Sequence, residues 1–158
     1  MKYRKIDAKY DLPEPDSRLL AVHGFDIDTP RIRLTPDGMM TLKQYYTWDG
    51  ASGPTIDTVD TISPSAYHDA GYELIELGLL PLSYKEYFDG LLYLDMLRTG
   101  HIMVQIETRN FPKIIRPIYV AFRERIIKNR ANTWYQAVSA FGGGSCKPGN
   151  INPILEAP

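Results

Sequence analysis

The chain has 158 residues, enough for one domain whose core needs no outside staple. Its 18 Lys and Arg against 19 Asp and Glu give a formal net charge of -1, which offers nucleic acid no global electrostatic footprint; the single Cys146 excludes an intrachain disulfide and suits a reducing compartment. The first residues lack the apolar core of a signal peptide and no apolar run is long enough to span a bilayer, so the expected product is soluble when made, with no transmembrane segment.

Residues 1–18 are polar, with Pro13 and Pro15 close together, and predict an extended arm or a weak edge strand. From 19 to 48, short apolar runs ("LLAVHGF", "RIRLTPDGMMTL", "YYTW") are separated by Gly24, Pro30 and the turn signal "TPDGM". This is the texture of a small antiparallel meander. The stretch "DGASGPTIDTVDTISP" reads as a loop. A first helix is expected over about 64–77, with Ser63 as cap, Pro64 at the first helical position and Gly78 as stop.

After "LLPLS", Ser83 and Glu86 have the spacing of a capping box, which opens a second helix running to about Arg98 and stopping at Gly100. Leu91, Leu92, Leu94 and Met96 make it strongly apolar and central. "HIMVQIETRNFPK" fits strand or helix equally. Residues 116–141 alternate apolar and basic residues at helical spacing and predict a third helix, with a break expected near 129–132. The tail, 142–158, is too rich in Gly and Pro for regular structure and is expected to be flexible or wrapped on a partner. The expected fold is α+β, a single domain of 1–158 with its core in 19–141: a small N-terminal antiparallel β region, an antiparallel helix hairpin, and a long C-terminal helix.

The hairpin brings chemistry together. His68 and Asp69 lie early in the first helix, and Asp89 lies on the facing helix inside an otherwise apolar stretch. A carboxylate there needs a partner, because an unpaired buried charge is costly. His68 is the obvious one, at nearly matching height if the helices pair antiparallel, and a His held by an Asp is fixed in tautomer and made a better base for activating water. Asp69 is expected to turn toward the preceding loop, "WDGASGPT", where Asp49, Gly50 and Gly53 bring carboxylate and carbonyl oxygens near. Such a cluster suits a hard cation such as calcium. Asp95 falls on another side of its helix and is expected to stay apart.

Two resemblances rest on these residues. "HDAGY", followed by Asp89 in "YFDGLLYLDM", resembles the active-site helix pair of phospholipase A2 enzymes of the prokaryotic and parvovirus-capsid types, over about residues 46–98. That resemblance implies His68 as general base, Tyr72 and Asp89 as the residues that hold it, Asp69 as calcium ligand with the loop from Asp49 through Gly50 to Gly53, and a phospholipid or other ester as substrate. The larger pattern "DGASGP", "HDAGY", Asp89 and "WYQAVSAFGG" is similar to a family of unknown function widespread in tailed-phage genomes, and covers the chain from the β region to Gly144. It implies a phage-encoded protein made in the host cytoplasm and open to incorporation in the virion, with other virion proteins as partners for the terminal arms. It names no reaction. The departures are the missing disulfides and a loop only loosely like the phospholipase calcium loop.

Plainer readings stand beside these. The His-Asp pair is also what two polar residues in the first turn of a helix look like, and the protein then is a non-enzymatic virion or assembly component with a structural dyad. His23 and His101 have no metal-ligand spacing. Cys146 sits in a Gly-rich tail that cannot hold a base against it. The Arg and Lys residues of 116–130 read as a solvated helix face. The 11 tyrosines are more than a core requires, and Tyr is enriched at protein interfaces.

Overall fold

Two small antiparallel sheets precede three helices in the computed structural model, which describes residues 1–6, 9–50 and 59–143. The fold is α+β. In the first sheet β1 (Arg4–Ile6) and β2 (Lys9–Asp11) pair, and β2 also pairs with β7 (Thr47–Trp48). The second runs β3 (Asp16–Leu19), β6 (Met39–Leu42), β5 (Ile32–Leu34), β4 (Ile27–Asp28). The expected N-terminal arm is thus paired: Tyr10 and Asp11 are buried, and the guanidinium of Arg4 holds both Asp11 carboxylate oxygens at 2.7 Å. Of the two readings of this segment, arm or weak edge strand, the strand is the one formed, with β1 at the edge of its sheet.

The meander is built as its pattern demands. In β5 and β6, Ile32, Leu34, Met40 and Leu42 are buried while their neighbours are half-exposed, the period-2 alternation of a one-sided sheet. "TPDG" turns between these strands with Gly38 at φ 91°, and the Gly38 N–H closes on the Thr35 carbonyl at 2.8 Å. The buried faces of both sheets meet α1 (Val59–Glu76) in one core that includes Trp48, Ile62, Ala66, Ala70, Leu74 and Phe88.

Helix α1 starts earlier than expected, and Pro64 lies inside it. The proline removes one helical N–H. Nearby, the Trp48 indole N–H donates to the Ile62 carbonyl and to Ser65 Oγ, both at 3.1 Å, and Ser65 Oγ donates to Ile62 at 2.8 Å, so a buried anchor stabilises this turn where a cap was anticipated. A one-turn 3-10 helix (Leu82–Tyr84) leads into α2 (Lys85–Glu107), with no side-chain cap from Ser83. Helix α2 passes through Gly100, where a Cβ would lie 2.5 Å from the Ile127 side chain. Gly100 is a contact glycine and not a stop. Helix α3 (Arg116–Phe141) is unbroken at 129–132.

The contacts fix the directions. His68 and Tyr72 of α1 meet Asp89 of α2, Gly71 meets Phe88, and the Tyr72 ring lies 5.8 Å from Lys85 Nζ, so α1 and α2 are antiparallel. Helices α2 and α3 are antiparallel too, from Lys85 with Val138 at one end through Tyr93 with Tyr135 to Gln105 with Arg116 at the other. Between them Leu92, Met96, Ala131 and Trp134 form a second, smaller core. Arg18 of β3 closes a two-pronged ion pair on Asp95 of α2, tying the sheet to the helices. Among the described residues no helix is long and apolar enough to cross a membrane. Residues 51–58, with Gly53, and the tail from 144 onward, with Cys146, lie outside the described residues.

A Cβ at Gly71 would sit 2.3 Å from the Phe88 ring, whereas one at Gly90 meets nothing within 4 Å. Gly71→Ala should therefore cost about 1–3 kcal/mol in urea unfolding by forcing the two helices apart, while Gly90→Ala should be neutral or stabilising by up to about 1 kcal/mol. Equal effects of the two substitutions would contradict this packing.

Candidate active site around a buried aspartate

Asp89 is 1 % exposed in the fifth position of α2, flanked by buried Phe88, Leu91 and Leu92. Three helices bring it partners. From α1, His68 Nε2 lies 3.2 Å from Oδ1, and the Tyr72 hydroxyl donates to the same oxygen at 2.6 Å. From one turn earlier in α2, Lys85 Nζ donates to Oδ2 at 2.7 Å. From the last turn of α3, the Ser139 hydroxyl reaches Oδ2 at 3.5 Å. The ammonium of Lys85 also donates to the Val138 carbonyl at 3.0 Å, so one cation serves the carboxylate and the carboxyl end of α3, where cations are favoured.

Sequence geometry brings His68, Tyr72 and Asp89 together through spacing. His68 and Tyr72 are four apart and share a face of α1, with rings 4.2 Å apart at their centroids. Gly71 between them lets α2 approach, and Gly142 beyond α3 leaves room for the Tyr72 hydroxyl, which a Cβ there would meet at 2.3 Å. Lys85 and Ser139 were not singled out from sequence. Lys85 carries a readable signal, since an ion pair at i,i+4 on one helix is ordinary. Ser139 carries none, as its place depends on how α3 folds back.

Asp69 reaches the histidine: its Oδ1 lies 3.1 Å from His68 Nδ1, while the charge of Asp49, where the preceding loop begins, also bears on its carboxyl, and the rest of that loop, 51–58, lies outside the described residues. Both ring nitrogens therefore face carboxylates, and a neutral imidazole has only one N–H to donate. Burial disfavours the charged ring, but hydrogen bonds to Asp69 and Asp89 outweigh it and raise the His68 pKa above its ordinary 6.5. The result is a chain of alternating charge, Lys85, Asp89, His68, Asp69, leading from a fully buried carboxylate to one that is 30 % exposed.

The two carboxyls are tuned oppositely. Burial pushes Asp89 up, yet the bonds from His68, Lys85 and Tyr72 prevail and hold it below the usual carboxylate range. Burial raises Asp69, with the negative charge of Asp49 adding to it against the lowering pull of His68. Asp49 itself is exposed at the end of β7 and lies 3.3 Å from Lys9 Nζ, with Gly50 after it at φ 78°. Gly53 falls outside the described residues, and among those described no group of three or more His, Cys, Asp or Glu is placed to hold a metal ion. Asp95 stays apart on Arg18, His101 pairs with Glu124 at 2.8 Å on the surface, and His23 lies 3.0 Å from the Asp37 carbonyl. No family model, curated protein or solved structure matches the chain.

Because the folded pKa of Asp89 is depressed, its stabilisation is present above the ordinary carboxylate value of 3.8 and is lost as pH falls through the lower folded value. Asp89→Asn should cost about 3–5 kcal/mol near pH 6 by leaving Lys85 and His68 without their counter-charge. In urea unfolding the gap between wild type and variant should narrow as the pH is taken from 5 toward 2 (about one to two units below the usual carboxylate range). A gap that stays constant across that span would contradict the assignment.

Proposed function

We propose that the protein is an ester hydrolase of the phospholipase A2 type, encoded by a tailed phage, in which His68 activates the attacking water. The observation that carries this reading is the double grip on one carboxylate oxygen: Asp89 Oδ1 meets His68 Nε2 at 3.2 Å and accepts from the Tyr72 hydroxyl at 2.6 Å. A carboxylate pinned this way holds the imidazole by Nε2 and leaves Nδ1 as the working nitrogen.

The chemistry then needs little more from the chain. A water gives a proton to Nδ1 as its oxygen attacks the ester carbonyl, and His68 returns that proton to the departing alkoxide when the carbon–oxygen bond breaks. Nδ1 has to be neutral and open for this, so Asp69 turns off the ring in the working form; the arrangement with both nitrogens occupied is the resting one. Asp69 and Asp49 are the described carboxylates proposed to take a calcium ion: burial chiefly, and the like charge of Asp49 in smaller part, raise the Asp69 carboxyl, and Gly50 follows Asp49 in the chain. Bound calcium would supply polarisation of the ester carbonyl. Phospholipid is the proposed substrate class, and the host cytoplasm the proposed place of synthesis.

A second reading has its own observation. Occupancy of both His68 nitrogens, with Lys85 already neutralising Asp89, is also how a buried polar network specifies helix packing without turnover. The protein is then a virion or assembly component whose terminal arms meet other virion proteins.

One variant separates them when two properties are measured on it. His68→Ala is assayed for fatty-acid release from phospholipid vesicles with calcium present, and for urea unfolding. The hydrolase reading expects release by the wild type, a drop of about 10²- to 10⁴-fold in the variant, and a retained fold. No release by the wild type, together with a strongly destabilised variant, would overturn it in favour of the structural network.

A further inference from the structure

Past the Arg18 and Asp95 pair, the contacts of α2 are with α3: Gly100 against Ile127, His101 with Glu124, Glu107 with Arg123 at 3.0 Å, Gln105 with Arg116. This half of the helical pair leaves a large apolar surface uncovered. Ile118 is 72 % exposed and Phe122 60 %, four apart on one stripe of α3, and in the turn just before the helix Ile114 is 85 % exposed with Ile115 exposed beside it. Exposed branched and aromatic residues in such a row mark a contact surface.

The tip that carries them is ordered. The Phe111 N–H donates to the Thr108 carbonyl at 3.1 Å, the N–H groups of Ile115 and Arg116 both donate to the Pro112 carbonyl at 3.0 Å, and the Phe111 ring packs on Tyr119 at 4.9 Å. Its charge is one-sided. Residues 109–130 hold seven Lys and Arg against one acidic residue, Glu124, in a chain whose formal net charge is -1. Arg109 and Lys113 are exposed at the turn, and Arg125 is exposed three residues beyond Phe122 on the same stripe. A second copy of this chain would bring those cations face to face, which disfavours self-association there. Apolar side chains rimmed by basic ones suit a layer that is anionic outside and apolar beneath.

We infer that the α2–α3 tip docks on an anionic phospholipid surface, with Ile114, Ile115, Ile118 and Phe122 entering the headgroup region and Arg109, Lys113 and Arg125 against the phosphates. The tip is far from the candidate site: from Asp89 to Glu107 along α2 is about 27 Å at roughly 1.5 Å per residue. Docking there is independent of what His68 does, and holds for the hydrolase and for the structural network alike.

The test is co-sedimentation of the full chain with vesicles of phosphatidylcholine alone or in equal mixture with phosphatidylglycerol, together with Ile114→Ser/Ile118→Ser and analytical ultracentrifugation. The wild type should bind the mixed vesicles, bind phosphatidylcholine alone more weakly, and lose affinity as salt rises. The double variant should bind the mixed vesicles at least about tenfold more weakly, with an unchanged thermal transition, because both side chains are exposed. Absence of binding to the mixed vesicles, equal binding by the variant, or a dimer that the variant abolishes would each overturn the inference, the last by naming a second copy as the occupant.

Discussion

A carboxylate that is almost completely removed from water has to be neutralised by its neighbours, and at Asp89 this requirement organises the helical half of the molecule. Removing a charge from water costs several kcal/mol unless partners replace the lost solvation. Asp89 obtains those partners from three separate helices: His68 and Tyr72 of α1, Lys85 of its own helix, and Ser139 of α3. No two helices alone complete the set. The polar cluster therefore specifies how the helices meet, while the apolar contacts of Phe88, Leu74, Met96 and Trp134 supply the bulk of the driving force.

The close approaches follow from the same demand. Side-chain hydrogen bonds of about 3 Å between α1 and α2 require the helices to lie near one another, and Gly71 provides the room by admitting the Phe88 ring. Gly142 does the same for the Tyr72 hydroxyl at the end of α3. The Lys85 ammonium, shared between Asp89 and the Val138 carbonyl, couples the end of α3 to the state of the carboxylate. Polar contacts thus run without a break from Asp69 through His68, Asp89 and Lys85 to the carboxyl end of α3.

Much of this was legible in the sequence because it depends on local periodicity. Asp89 within an apolar run, and His68 and Tyr72 one turn apart, are enough to draw the pairing once two helices and a short turn are recognised. Short apolar runs separated by Gly24, Pro30 and "TPDGM" carry the meander, and with the helices that follow they give the α+β class. What escaped depended on tertiary neighbours. Gly100 looks like a helix stop until Ile127 is seen to need its space, and Pro64 looks like a first helical residue until Trp48 is seen anchoring the turn around it. For the first residues, expected as an extended arm or a weak edge strand, what the sequence left open was the pairing of β2 with β7 and the burial of Asp11 against Arg4. The contact of Asp69 with the second nitrogen of His68 could not be read from helix geometry, because an adjacent side chain has more than one neighbour within reach.

The account stands on Asp89 holding His68 by one particular nitrogen, and nitrogen-15 NMR of the imidazoles reads this directly. In the full-length wild type, the His68 ring should show a protonated Nε2 whose hydrogen exchanges slowly with water, unlike the exposed ring of His101 in the same spectrum. Replacing Tyr72 by Phe should weaken that protection without abolishing it, since Lys85 still fixes the carboxylate. A His68 ring with the averaged nitrogen shifts of a free imidazole, exchanging as fast as that of His101, would contradict the account.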